Sequence, residues 1–363
     1  MSFKQRASVV RARRYAIVLL ATLLHPTTTA QAQAPTLWNW QLVSQGSPLQ
    51  PYDSRAALTS IYAKTTTDVY LAGCYRCLER WDGTTFSAQA QPAGNNRYTV
   101  SGAPDGSVYS AGQYNLLRFD GSNWTTVLQA SSELFSTYVA PDGTVFTSGD
   151  GVIYRNAGAG YVSLATGLST AFNTDRLLAM TGFSANDVFI GGYGGKILRF
   201  NGTTFSLMNT GTTEPIDAID ARSPTQVYAV GQHGTVLHFN GVAWTTLPPP
   251  AFGNLRGVQV LGDNDIIVSG DGGVLARWNG LAWSYINLGT TSTLGNISTP
   301  DNGQTLFIVE VTNSDVRFYE GRNANPLSST VPEPGSFALV GFGIAALMFG
   351  MRKRTAFSLT RGR

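Results

Sequence analysis

An all-β fold built from repeated four-stranded units is predicted by three features of this sequence. A motif returns about every 39 residues, each copy carries Asn-Gly or Asp-Gly at the same place, and an aromatic residue follows that glycine at a fixed distance. The clearest copies are VYAVGQHGTVLHFNGVAWTTL from Val227, VFIGGYGGKILRFNGTTFSLM from Val188 and IIVSGDGGVLARWNGLAWSYI from Ile266. Copies beginning at Val69, Val108 and Val145 follow the same plan. Forty glycines, with abundant Thr, Ser, Val and aromatic residues, suit short strands joined by tight turns.

The glycine that ends the first strand of each copy recurs at Gly73, Gly112, Gly149, Gly192, Gly231 and Gly270, with spacings of 39, 37, 43, 39 and 39 residues. Coils of a single-strand solenoid repeat every 20 to 30 residues or so, and helical repeats show apolar i, i+3, i+4 patterns, which are hard to find between Thr36 and Pro326. A period near 39 with four strand signals per unit describes one blade of a β-propeller.

Turn chemistry sets the boundaries within each unit. Pro104-Asp105-Gly106, Pro141-Asp142-Gly143, Asn186-Asp187, Pro224-Thr225-Gln226 and Pro300-Asp301-Asn302-Gly303 preset or tolerate turn dihedrals before a strand. Asp82-Gly83, Asp120-Gly121, Asn201-Gly202, Asn240-Gly241 and Asn279-Gly280 join the last two strands, where glycine allows positive φ. Three residues after each glycine stand Phe86, Trp124, Phe205, Trp244 and Trp283, with Tyr161 after Gly158 in the most degenerate copy.

The ends of the repeat region fix the number of blades. Leu306 to Val309 and Arg317 to Gly321 give a seventh pair of strand signals, but no aromatic strand follows before the linker at Asn325. Leu37-Trp38-Asn39-Trp40-Gln41-Leu42-Val43 near the other end reads as the absent strand, with Trp40 in the place of Trp244. A strand from one terminus completing a blade begun by the other closes the ring and leaves only short edges. Seven blades are therefore expected over residues 33–325, with six or eight as the alternatives.

The recurring Val-Tyr-x-x-Gly and Asn-Gly-x-x-Trp elements resemble the YCF48-like and BNR-like propeller proteins. That resemblance implies the fold. It carries over no sialidase site, because the Ser-x-Asp-x-Gly-x-Thr-Trp box of such enzymes is not intact in any copy.

Both termini read as export signals. Lys4, Arg6, Arg11, Arg13 and Arg14 precede an apolar stretch from Tyr15 to Leu24 and an Ala30-Gln31-Ala32 site, so residues 1–32 are expected to be a secretory signal peptide cleaved before Gln33. The general secretory route fits the surroundings of Arg13-Arg14 better than the twin-arginine route. At the other end, Pro332-Glu333-Pro334 leads into fifteen uncharged residues from Phe337 to Met351 and then Arg352-Lys353-Arg354. As a helix that run is roughly 22 Å long, and 335–354 is expected to anchor in a bilayer whose core is about 30 Å thick. The basic cluster should stay cytoplasmic, with 355–363 as a basic cytoplasmic tail, which places the propeller on the far side of the membrane.

Pro-Glu-Pro, apolar helix and Arg-rich end in that order resemble the PEP-CTERM sorting tail of Gram-negative bacteria. The resemblance implies export, temporary anchoring in the inner membrane and cleavage near the linker, 326–334, by an exosortase, a membrane cysteine protease. It also implies a setting in which exopolysaccharide is made. The nine residues after Arg354 exceed the abrupt end usual in such tails, and a plain single-pass anchor is the alternative.

Once both termini are set aside, fifteen Lys and Arg stand against all 22 Asp and Glu, so residues 33–334 carry about −7 rather than the +3 of the whole chain. An acidic body excludes a nucleic-acid partner, which needs a basic stripe against phosphates.

Chemistry-bearing residues are few. A basic side chain recurs on the third strand, at Arg80, Arg118, Arg155, Arg199, His238 and Arg277. Such a column either recognises anionic sugars through guanidinium forks or solves one packing problem repeatedly by pairing with acids and lying along neighbouring side chains. Cys74 and Cys77 flank a hairpin tip where residues three apart come within about 7 Å, so a disulfide is expected outside the cytoplasm, with free thiols as the alternative. The Asp150-Gly151 and Asp271-Gly272-Gly273 turns lack the ligand density of a calcium loop, and neither metal nor cofactor is expected. No carboxylate pair stands out.

Two functions follow. The first is a non-catalytic surface or matrix protein whose propeller binds polysaccharide or protein. The second is an exported hydrolase or lyase acting on extracellular carbohydrate through carboxylates at one face, and the absence of a catalytic constellation in the sequence favours the first.

Overall fold

The computed structural model describes residues 38–45, 60–74, 77–92, 95–157, 160–166, 176–312 and 316–324, except the side chains of 45, 74, 77 and 157. These residues form seven four-stranded antiparallel sheets. The first described strand, β1 (Trp38–Gln45), stands apart from the consecutive runs that follow. The first blade holds β2 (Ser60–Thr65), β3 (Asp68–Cys74), β4 (Cys77–Trp81) and β5 (Phe86–Ala88). The second holds β6 (Arg97–Gly102), β7 (Val108–Gly112), β8 (Asn115–Phe119) and β9 (Trp124–Gln129). The third holds β10 (Leu134–Val139), β11 (Val145–Gly149), β12 (Ile153–Ala157) and β13 (Gly160–Ser163). In the fourth are β14 (Leu177–Ser184), β15 (Asp187–Gly192), β16 (Ile197–Phe200) and β17 (Phe205–Met208). The fifth contains β18 (Ile216–Ser223), β19 (Gln226–Gly231), β20 (Val236–Phe239) and β21 (Trp244–Thr246). The sixth contains β22 (Leu255–Gly262), β23 (Asp265–Gly270), β24 (Leu275–Trp278) and β25 (Trp283–Tyr285). The seventh begins with β26 (Thr293–Ser298), β27 (Thr305–Val311) and β28 (Val316–Asn323), and β1 completes it.

The closure expected from the sequence is thus present. β1 pairs antiparallel with β28, from Trp38 opposite Asn323 to Gln45 opposite Arg317. Trp40 stands opposite Gly321, the register held by Trp244 opposite Phe239 in the fifth blade. The innermost strands β2, β6, β10, β14, β18, β22 and β26 each contact the next, and β26 contacts β2, so the ring is complete.

The core lies between blades, because each blade is too thin to bury apolar surface within itself. Among the described residues seven apolar clusters occur, each joining two neighbours; one sets Val188 and Ile190 of the fourth blade against Phe146 and Ile153 of the third. Aromatic pairs repeat at the junction of the two outer strands: Trp81 with Phe86, Phe119 with Trp124, Phe200 with Phe205, Phe239 with Trp244 and Trp278 with Trp283, all with centroids between 4.7 and 5.4 Å apart.

Local chemistry explains the repeated glycines. Gly112, Gly149, Gly192, Gly231 and Gly270 end the second strand of their blades, and a Cβ there would come within 1.7 to 2.3 Å of the carbonyl oxygen that precedes the innermost strand. Close approach of two backbones is therefore the constraint. The Asn-Gly and Asp-Gly turns do place glycine at positive φ, as at Gly202 (φ 93°). They are wider than a two-residue hairpin, however, because the side chain of the preceding Asn or Asp accepts two backbone N–H bonds, as Asn201 does from Thr203 and Thr204.

Candidate functional site

The seven innermost strands enclose a central channel with a volume of about 240 Å³. Most of its lining is apolar, hydroxyl or amide, and the charged exceptions come from the fifth and sixth blades. Asp217 and Asp220 of β18 and Arg256 of β22 all line it.

Asp217 lies at the beginning of β18, nearest the face that carries the turns between second and third strands; we term this the upper face. Its carboxylate accepts a hydrogen bond from Arg256 Nη1 at 3.0 Å. The same guanidinium turns its other edge to Asp271, donating from Nε and Nη2 at 3.1 Å each. Asp271 in turn accepts from Asn254 Nδ2 at 2.9 Å and from Thr293 Oγ1 at 3.2 Å. The network continues outward, because Asn254 Oδ1 accepts the backbone N–H of His233, whose Nδ1 lies 2.7 Å from Glu214 Oε2. It crosses three blades.

Burial pushes the Asp217 carboxyl up to about 6, against the pull of Arg256. Burial also opposes ionisation of Asp271, but the hydrogen bonds and charge of Arg256, with Asn254 and Thr293, leave that group below its ordinary value. Asp220 lies further along β18, toward the lower face. Burial raises it to about 6 although Val260 N and Gln259 Nε2 both donate to its Oδ2 at 2.7 Å. Two carboxyl groups able to hold a proton near neutrality therefore face one channel. Among the described residues Arg256 is the one guanidinium lining the channel, and Asp217 and Asp271 occupy both its edges.

Neither aspartate was legible as a site in the repeat pattern. The signal lay in Ile216-Asp217-Ala218-Ile219-Asp220, where the preceding blade has Leu177-Leu178-Ala179-Met180-Thr181.

The basic column of the third strands does not converge. Each member stands opposite the second strand of its own blade: Arg80 faces Tyr70, Arg118 faces Tyr109, Arg155 faces Phe146, Arg199 faces Phe189, His238 faces Tyr228 and Arg277 faces Ile267. Four pair with an aspartate: Arg80 with Asp68 at 2.7 Å, Arg118 with Asp105 at 2.9 Å, Arg199 with Asp187 at 2.8 Å and Arg277 with Asp265 at 2.5 Å. Arg80, Arg155 and Arg199 lie over the rings they face, and His238 stacks on Tyr228 at 4.4 Å. Arg277 lies over Trp38 of the closing strand.

Cys74 and Cys77 are opposite each other in backbone register, and their side chains lie outside the described residues. So do Pro332, Glu333, Pro334, Arg352, Lys353 and Arg354. Among the described residues no helix is long and apolar enough to cross a membrane, and no group of His, Cys, Asp and Glu is arranged to hold a metal ion.

Comparison with known proteins separates the tail from the body. The PEP-CTERM protein-sorting motif matches residues 330–354. No curated protein matches the chain. Among solved structures, YCF48 from Cyanidioschyzon merolae aligns with a TM-score of 0.61 at 16% identity, covering 79% of this chain and 99% of its own. The WD40 β-propeller domain of Doa1 aligns with a TM-score of 0.63 at 13% identity, over 78% of this chain and 97% of that one. The RRP9 WD40 repeats align with a TM-score of 0.62 at 11% identity, over 78% and 98%. At these identities the likeness is one of fold alone. The sorting motif implies an exported precursor, anchored in a membrane, that an exosortase processes. The chain carries a PEP-CTERM sorting motif at its C-terminal end, behind a seven-bladed β-propeller that resembles YCF48.

Proposed function

We propose that this protein is a non-catalytic binding module, delivered to the cell surface or extracellular matrix by its sorting tail, whose propeller binds polysaccharide or protein there. The observation that supports this reading most directly is the state of the charged groups at the channel. Arg256 is held by Asp217 and Asp271, and Asp220 by Gln259 and Val260. A channel of about 240 Å³ also falls below the ~300 Å³ at which ligand pockets usually begin.

A second reading, an exported hydrolase or lyase, is favoured by one fact: Asp217 and Asp220 both titrate near 6 and both face the channel. Reducing-end release from a panel of extracellular polysaccharides separates the two. The binding reading expects retention of the protein on at least one polymer with no release of ends. Release that Asp217→Asn or Asp220→Asn abolishes would overturn it.

The delivery step has its own test. Intact-mass analysis of the protein recovered from its host should show loss of the residues beyond about Pro334, and a Glu333→Ala variant should keep them. An unprocessed tail in both would leave a plain membrane-anchored propeller and remove the argument for delivery to the matrix.

A further inference from the structure

We infer that the upper rim between the fifth and sixth blades, centred on Phe252 and Tyr285, is where this protein holds a neutral polysaccharide, on the propeller face opposite the one at which β28 ends. This rests on the binding-module reading above and assigns it a site and a ligand class.

The rim is a built feature. Pro248, Pro249 and Pro250 stand in succession at the end of the fifth blade, each with its φ fixed by its ring. The segment is fastened on both sides. Trp283 Nε1 donates to the Pro248 carbonyl at 2.7 Å, and the Tyr285 hydroxyl donates to the Pro250 carbonyl at 2.5 Å, both from the sixth blade. On the fifth-blade side the turn at Gln232–Gly234 packs so closely that a Cβ on Gly234 would lie 2.2 Å from the Ala251 carbonyl oxygen. Asn254 then ties the segment to His233 and Asp271. A loop fixed in this way nevertheless leaves Phe252 89% exposed and Tyr285 67% exposed. The Tyr285 ring and the backbone that carries Phe252 are thus held in place, which lowers the conformational freedom lost on binding.

The chemistry of the surroundings selects the occupant. Two aromatic rings offer roughly 300 Å² of exposed surface, well short of the ~800 Å² that each side of a standard protein interface contributes. Polar groups frame them: His233 beside Glu214, and Asn254 beside Asp271. A sugar ring presents an apolar face of C–H bonds edged by hydroxyls, which matches an aromatic ring with imidazole, amide and carboxylate groups nearby. A body carrying about −7 repels polyanions, and this leaves neutral sugars.

Strand direction places this rim opposite the end of the described chain. β28 ends at Asn323, whose N–H donates to the Gln304 carbonyl in the turn between β26 and β27. Trp38 Nε1 donates to Gly303 in that same turn. Both ends of the ring thus leave by the lower face, opposite the Phe252 rim. Six residues separate Asn323 from the start of the sorting motif at 330, a reach of at most about 25 Å. The described chain therefore ends toward the sorting motif at the lower face, opposite the Phe252 rim.

The test is affinity electrophoresis of the full chain through gels containing hydroxyethyl cellulose, galactomannan or laminarin, with alginate and polygalacturonate as the anionic counterparts. Retardation is expected with at least one neutral polymer, weakened tenfold or more in Phe252→Ala and in Tyr285→Ala. Val242→Ala, at a 90% exposed position in the lower-face turn after Asn240, should change nothing. Thermal melting of each variant, expected to match the parent, separates lost binding from lost folding. Retardation by a neutral polymer that both aromatic variants retain would overturn this site and leave the binding-module reading standing. Retardation by the anionic polymers alone would overturn the ligand class. No retardation by any polymer would remove both the site and the polysaccharide form of that reading.

Discussion

Trp40 lies over Gly321, so close that a Cβ on the glycine would come within 2.7 Å of the indole. The two residues are nearly the whole propeller apart in sequence, and they occupy the place of the aromatic pair that Phe239 and Trp244 form in the fifth blade. Glycine gives up its side chain here so that the closing strand can supply one. Trp40→Ala should therefore cost about 2–4 kcal/mol, read as a lowered denaturation midpoint. It should also speed hydrogen exchange in both β1 and β28. Trp124→Ala, which removes the same kind of ring from a blade made of consecutive strands, should leave exchange in β1 and β28 at the parent rate. Equal exchange in the two variants would mean that the closing strand is not held by this contact.

Two glycines, one ending a strand and one in the loop before β18, are under different constraints. At Gly231 an added Cβ would sit 1.9 Å from the Pro215 carbonyl oxygen, a backbone atom that cannot swing away. Gly211 has φ of 73°, with nothing within 4 Å of its would-be Cβ. Gly231→Ala should destabilise by about 3 kcal/mol or more, through displacement of the innermost strand. Gly211→Ala should cost only the ~1 kcal/mol of placing an L-residue in the left-handed region. Chemical denaturation of both variants checks the order, and a Gly211 effect as large as that of Gly231 would contradict the close-approach account.

The basic column yields a ranking. The Arg277 side chain is 11% exposed and meets Asp265 through two hydrogen bonds, whereas Arg118 and Asp105 are 39% and 57% exposed and share one. Double-mutant cycles should give a coupling of about 2 kcal/mol for Arg277 with Asp265, and under about 0.5 kcal/mol for Arg118 with Asp105. Raising salt should reduce the second more than the first. Equal couplings would show that burial does not decide the strength of these pairs.

What the sequence revealed and what it hid have a common cause. Turns, outer-strand aromatics and blade-ending glycines answer a packing problem that every blade shares, so they recur and can be counted, and Trp40 could be matched to Trp244 across the whole chain. Asp217, Asp220 and Arg256 solve no shared problem. They sit at innermost-strand positions that differ from blade to blade, and Asp217 meets Arg256, as Asp220 meets Gln259 and Val260, only because the ring brings β18 against β22. The Phe252 rim was hidden for a similar reason, since its Pro248–Pro250 segment belongs to one blade junction and is fixed by Trp283 and Tyr285 about 35 residues later.

Asp220 makes the stability of the propeller depend on pH in an unusual direction. Its folded carboxyl titrates at about 6 because burial disfavours the charged form, while the unfolded chain titrates it near 3.9. Between those values the folded state holds a proton that the unfolded state has already released, so stability falls as pH rises from about 4 to 6 and stays low above that. A shift of about 2 units corresponds to roughly 2–3 kcal/mol. Asn at this position retains an acceptor for Val260 N and removes the titration. Asp220→Asn should be more stable than the parent by about 2 kcal/mol at pH 7.5, and the two should converge as pH falls toward 4. Denaturation midpoints measured across that range provide the check. A variant less stable than the parent at pH 7.5 would mean that the ionised carboxylate, held by Gln259 and Val260, stabilises the fifth and sixth blades more than its burial costs.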